Sequence, residues 1–255
     1  MRITFAANAG VLVEAGGARF LVDGLHHTPG LPFSMVPDEL LERMNTQENQ
    51  FRNVDYLVFT HAHPDHYTPD TVLDYVRHNR VGRVFLPAAG GAEHDRLVSW
   101  LRERQVPTRI LEHDMEKPHT YFLKKELYLT AAGVPHMKTS WPDSVCNCVV
   151  LTACGENAVF LSDCDLQSEA YYSFLKAAHI TAAFVNPYFF HDCAGRKILQ
   201  EIIAPDCLFI YHMPFANEDK TGLRGLVRQD MKKYGDSFAR IEELVEQEQT
   251  VWVGE

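Results

Sequence analysis

The sequence predicts an α/β fold of two β-sheets stacked face to face with helices outside. Three observations predict it. Apolar strand-like runs alternate with helix-like segments, and this order occurs in two successive halves, each with strands first and helices second. Third, 255 residues at 46% hydrophobic and 23% charged make an ordinary globular composition with enough apolar surface for a sizeable core. No Ser/Gly linker, low-complexity tract or strict repeat interrupts it, so one domain over 1–255 is expected.

The elements follow in order. Arg2 to Ala6, Gly10 to Glu14 and Ala18 to Val22 read as short strands, with Asn8, Gly10 and Gly16-Gly17 as turn residues between them. Residues 25 to 36 are too rich in Pro and Gly for regular structure, and Pro37-Asp38 opens a helix through "PDELLERM". Then come a strand at Tyr56 to Phe59, a helix at Thr68 to Arg80, a strand at Val84 to Leu86 and a helix at Ala92 to Arg104. The second half has strands at Leu127 to Ala131, Cys146 to Ala153, Ala158 to Leu161, Ala182 to Asn186 and Cys207 to Tyr211, with a helix-like Gly195 to Ile203.

Charge and cysteine content narrow the function classes. A formal net charge of -10, with no dense Lys/Arg stripe, weighs against nucleic acid and anionic membrane surfaces as partners and favours a small-molecule substrate. No apolar stretch reaches the roughly 18 residues of a membrane span, and the apolar run in MRITFAANAG is short for a secretory signal. A cytoplasmic location with six reduced thiols is therefore expected, and homo-oligomer formation stays open. Cys146 and Cys148 alternate on a strand, which aims both at one face as small core residues.

The chemistry lies in "FTHAHPDHY", which places His61, His63, Asp65 and His66 where a strand ends and a loop begins. Neutral imidazole and carboxylate suit a divalent transition metal, whereas crowded rings without one would repel when protonated. The alternate spacing lets His61 and His63 converge on one metal, while Asp65 and His66, past the Pro64 bend, turn toward a second. Three later apolar strands, LTAAGVPH, VFLSD and LFIYH, also end on a ligand type and supply His136, Asp163 and His212.

His61-x-His63-x-Asp65-His66 followed by His136, Asp163 and His212 resembles the metallo-β-lactamase superfamily over most of the chain. The resemblance implies an αββα sandwich of two mixed β-sheets and two divalent metal ions. It assigns His61, His63 and His136 to the first metal, Asp65, His66 and His212 to the second, and Asp163 to both, in preference to the neighbouring Asp165. Asp23, ending the strand in "ARFLVDG", would orient a ligand histidine without touching metal. Superfamily members with diiron redox chemistry carry Glu where this chain has His63, so zinc is the first choice, with manganese or iron also suited to these donors.

The implied activity is a hydrolase that directs a metal-bridging hydroxide at a small ester, lactone or related substrate, with Asp65 as the proton acceptor. "FVNPYFFHD" and "IYHMPF" look most like the ascorbate-6-phosphate lactonase-like branch. His191, read as lying at a strand end, would donate a proton to a leaving group or bind a substrate anion, and at the pocket mouth Trp141 would form an apolar wall and Lys138 an anion contact. A metal-dependent phosphodiesterase and a non-catalytic metal sensor are the alternative readings.

Overall fold

A computed structural model of the protein describes residues 1–88, 91–137 and 145–254. It divides into two compact units: Arg2–Glu112 with Glu246–Val251, and Met1 with His113–Val245 and Trp252–Glu255. They are called here the N-terminal and C-terminal units.

In the N-terminal unit, β1 (Arg2–Phe5), β2 (Val11–Ala15) and β3 (Ala18–Val22) form an antiparallel meander. Gly16 and Gly17, at φ 56° and 65°, make the two-residue β2–β3 turn, a left-handed geometry that glycine adopts without the Cβ clash. After α1 (Asp38–Asn45) the pairing changes: β4 (Tyr56–Val58) runs parallel to β3, and α2 (Pro69–His78) and α3 (Gly91–Glu103) carry the chain to parallel β5 (Arg83–Pro87) and β6 (Thr108–Leu111). Helices are needed there because parallel neighbours require a crossover.

The C-terminal unit repeats this order. β7 (His119–Lys124), β8 (Leu127–Pro135), β9 (Val145–Ala153) and β10 (Glu156–Ser162) are antiparallel. β11 (Ala182–Val185), α4 (Pro187–His191), α5 (Cys193–Ile198), β12 (Cys207–Ile210), α6 (Leu223–Tyr234) and β13 (Ile241–Glu243) follow, and β10 to β13 pair in parallel. β14 (Thr250–Trp252) joins the first sheet beside β1, so each sheet is mixed, with seven strands among the described residues.

Pleat and register set the core of each unit. Phe160, Phe184 and Phe209 stand opposite one another on β10, β11 and β12, and their rings stack at 4.3 and 5.1 Å. Phe20 and Tyr56 repeat this on β3 and β4 at 4.8 Å. Each fully buried aromatic is worth about 1.5–3 kcal/mol in transfer free energy, with stacking adding up to about 1.5. Cys146 and Cys148 are both buried, as their alternation requires.

All ten expected strands are present, with ends displaced by a few residues. Gly195 to Ile203 is α5 continued by a π-helical turn at Leu199–Ile203. Not anticipated were β6, β7, β13, β14, α4 and α6.

Candidate metal centre

Parallel neighbours end at the same edge of a sheet, and this places the donors of each unit. In the N-terminal unit β3 ends at Asp23 and β4 runs on into Thr60 and His61. Asp23, at φ 47°, turns back so that Oδ1 accepts from the Thr60 N–H at 2.8 Å and Oδ2 from the Thr60 hydroxyl at 2.7 Å. Having donated its proton there, the hydroxyl accepts from Nδ1 of His61 at 3.1 Å. Nδ1 of His66 donates to Asp23 Oδ2 at 2.9 Å.

The His66 and Tyr67 amides donate to the His63 carbonyl, closing a turn at Pro64 that returns Asp65 and His66 toward His61. Ring centroids lie 4.5 Å apart for His61 and His63 and 4.2 Å apart for His61 and His66. Asn8, at φ 48°, donates from Nδ2 to the Asp65 carbonyl and carboxylate at 3.1 and 3.3 Å. The loops carrying Asn8 and Asp23 meet at Gly10, where a Cβ would come within 2.9 Å of Gly24 Cα.

In the C-terminal unit β8, β10, β11 and β12 all run the same way and end on His136, Asp163, Asn186 and the Tyr211-His212 pair. His136 Nε2 is 3.4 Å from Asp163 Oδ2, and His212 Nε2 is 3.5 Å from Asp163 Oδ1. His136 Nδ1 donates to the Met137 carbonyl at 2.7 Å, which leaves its Nε2 as the lone-pair side facing that carboxylate. Asn186 donates from Nδ2 to the Ser162 carbonyl at 2.7 Å and to Asp163 Oδ1 at 3.4 Å. Ser162 and His212 have φ values of 49° and 59°; left-handed non-glycine residues such as these concentrate at functional sites.

The donors fit a divalent metal. Two ligand atoms each about 2.1 Å from one tetrahedral ion stand about 3.4 Å apart. The pairs His136–Asp163, His212–Asp163 and His66–Asp65 are spaced at 3.4, 3.5 and 3.6 Å, long for hydrogen bonds and right for ligands of one ion. Asp65, His66, His136, Asp163 and His212 are all buried, and burying such groups without a counter-charge is costly. No competing nucleophile arises from Cys164, between Asp163 and Asp165: burial pushes its thiol well above the ordinary range.

Of the residues singled out from the sequence, His61, His63, Asp65, His66 and Asp23 come together in one unit and His136, Asp163 and His212 in the other. Asp165, the alternative to Asp163, has Oδ1 accepting from the Gln167 amide at 2.5 Å. His191 does not end a strand. Asn186 caps Phe189 N and Pro187 starts a helix, so His191 closes α4, its Nδ1 2.7 Å from Asp230 Oδ2. Lys138 and Trp141 lie outside the described residues. Sequence reasoning missed Asn8, Thr60, Asn186 and Asp230; "NP" at 186–187 was the available signal for a capped helix.

No protein-family model and no curated protein matches the sequence. Solved structures do match. A mutant of the CmlA β-hydroxylase superposes with a TM-score of 0.69 at 16% identity, covering 98% of this chain and 53% of that one, so this chain spans about half its length. The isothiocyanate hydrolase from Delia radicum gut bacteria gives 0.64 at 14%, covering 99% and 98%. A metallo hydrolase from the archaeon Ignicoccus hospitalis gives 0.63 at 14%, covering 100% and 98%. With both sheets mixed and the likeness running over nearly the whole chain, the protein has the metallo-β-lactamase fold.

Proposed function

We propose that the protein is a hydrolase dependent on two divalent metal ions, zinc first, that acts on a small ester, lactone or related substrate. One observation carries the reading: His61, His66 and His136 each have Nδ1 tied to a protein group, Thr60 Oγ1, Asp23 Oδ2 and the Met137 carbonyl, which reserves Nε2 for a metal. On this reading, as the resemblance of the sequence implies, His61, His63 and His136 hold one ion with Asp163, and Asp65, His66 and His212 hold the other with Asp163. Asp163 is common to both.

Two such ions, when bound, bring the pKa of a water toward neutrality and polarise the oxygen of the bond to be cut. The chain's own residues do the rest. Asp65, steadied by Asn8, accepts the proton released by the attacking water on its carboxylate. Asn186 steadies Asp163 from one side, and Asp23 sets the His66 ring. Zinc leads because imidazole and carboxylate in a four-donor set suit it; CmlA is a diiron enzyme, so iron also has a precedent on this fold.

The net charge of -10 supports a small substrate over nucleic acid. A cytoplasmic setting, expected from the sequence, goes with this reading. No described helix is long and apolar enough to cross a membrane. The test is a hydrolysis screen of lactones, thioesters, carboxylic esters and phosphodiesters with zinc-, manganese- and iron-loaded protein. Turnover of an acyl substrate supports the reading; turnover of phosphodiesters alone, or of nothing, overturns it.

A further inference from the structure

The C-terminal unit contains a cavity of about 420 Å³ lined in part by Met137, Asp165, Gln167, Tyr188, His191 and Asp192. Its wall shares chain with the metal donors. Met137 follows His136 and donates its N–H to the Asp163 carbonyl at 2.8 Å, while the Asp165 N–H donates to the Pro135 carbonyl at 2.7 Å. The cavity therefore belongs to the same strand-end edge as His136 and Asp163, yet none of its lining residues is among the proposed ligands.

Its polar groups are held in place from behind. His191 is half exposed, while its partner Asp230, on α6, is buried. Donation from Nδ1 to Asp230 fixes the imidazole and leaves Nε2 as its other hydrogen-bonding atom. Asp192 Oδ1 accepts from the Ala194 amide at 2.7 Å and Asp165 Oδ1 from the Gln167 amide at 2.5 Å, so each carboxylate has a backbone anchor. Tyr188 is 55% exposed, and a large aromatic left open beside carboxylates offers a ring face to a cation. No Lys or Arg is among the described residues that line the cavity.

We propose that this cavity is a substrate subsite for a group carrying a primary ammonium, and that His191, positioned by Asp230, accepts one of its N–H bonds at Nε2. Carboxylates of Asp165 and Asp192 supply the counter-charge, and the Tyr188 ring supplies an apolar, electron-rich wall. The inference rests on the hydrolase reading for its place in a reaction but not for binding. It also narrows that reading, because an anionic substrate tail would meet two like charges here.

Binding of the N-methylamides of 4-aminobutyric, butyric and glutaric acids, which carry a positive, no and a negative charge, is to be measured by calorimetry and by the His191 ring 15N shift. The 4-nitrophenyl esters of the same acids are assayed in parallel. The ammonium probe is expected to bind at least about tenfold more tightly than the neutral one and to move the His191 signal. Asp192→Asn keeps the cap on Ala194 and removes a charge, so it should narrow that gap by about threefold or more.

Asp230→Ala should weaken the ammonium probe by about tenfold and raise KM for its ester more than it lowers kcat, with Asp230→Asn restoring most of the loss. Should Asp230→Ala fail to fold by circular dichroism, His191→Phe decides the same question at a half-exposed position. Equal binding of the three probes, binding of none, or an unchanged gap in Asp192→Asn overturns the inference. Ammonium binding with no turnover of these esters or of any acyl substrate in the screen keeps it and removes the hydrolase reading; turnover without charge preference does the reverse.

Discussion

Asp23 and His66 are both fully buried and share a hydrogen bond of 2.9 Å between Oδ2 and Nδ1, while Asp23 also holds Thr60, and through it His61. One carboxylate thus sets the tautomer of one candidate ligand directly and of another through a hydroxyl. Asp23→Asn removes the charge that raises imidazole basicity. Metal affinity, measured by chelator competition, is expected to fall about 10- to 100-fold with the fold retained. Unchanged affinity would remove Asp23 from the site.

Asn186 does two jobs at the end of β11: Oδ1 caps α4 at Phe189 N, and Nδ2 reaches the Ser162 carbonyl and Asp163. Asn186→Ala loses the cap and leaves a buried carbonyl without this donor. A loss of about 1–3 kcal/mol in urea denaturation is expected, together with weaker metal binding. Lost stability with full metal affinity would confine Asn186 to capping.

The Phe160–Phe184–Phe209 stack crosses the three strands whose ends carry Asp163, Asn186 and His212. Phe184→Ala opens a cavity in the middle of it and should cost about 3–5 kcal/mol by urea denaturation. A cost under about 1 kcal/mol would mean that the neighbours collapse into the space.

Much of this was legible before any coordinates. Apolar runs ending on His or Asp mark strands whose ends carry donors, because hydrophobic pattern and ligand chemistry are both local. What escaped was set by distant partners. β14 exists because β1 offers an open edge some 250 residues earlier, a pairing that Thr250–Trp252 cannot announce alone. β7 alternates half-buried and exposed residues at a sheet edge, so its apolar signal is weak. α6 holds Gly225, and the side chain that caps its first amides is Asp219, upstream of the N-cap residue Gly222, both of which hide a helix. At "FVNPYFFHD" the apolar content masked the Asn-Pro start signal, which is why His191 was misplaced.

His94 gives a pH dependence of stability. It is buried with Nδ1 2.8 Å from the Tyr67 hydroxyl, and burial lowers its pKa from the ordinary 6.5. The folded state therefore takes up a proton less readily than the unfolded chain. Above 6.5 both are neutral and the contribution is intact; as pH falls from there through the folded pKa, the unfolded chain binds the proton first and stability drops. His94→Gln, which keeps an acceptor for Tyr67, should show a shallower fall of Tm between about pH 7 and pH 5 than the parent. Equal slopes would exclude His94 as a source of the acid sensitivity.

The central claim is that Asp163 serves two metal ions at once. Metal content per chain by elemental analysis, after expression without chelator, tests it most directly in the parent and in Asp163→Ala. About two equivalents are expected in the parent and at most about one in the variant, with hydrolysis down at least about 100-fold and circular dichroism unchanged. A parent without stoichiometric metal, or a variant that keeps both its metal and its turnover, would contradict the account.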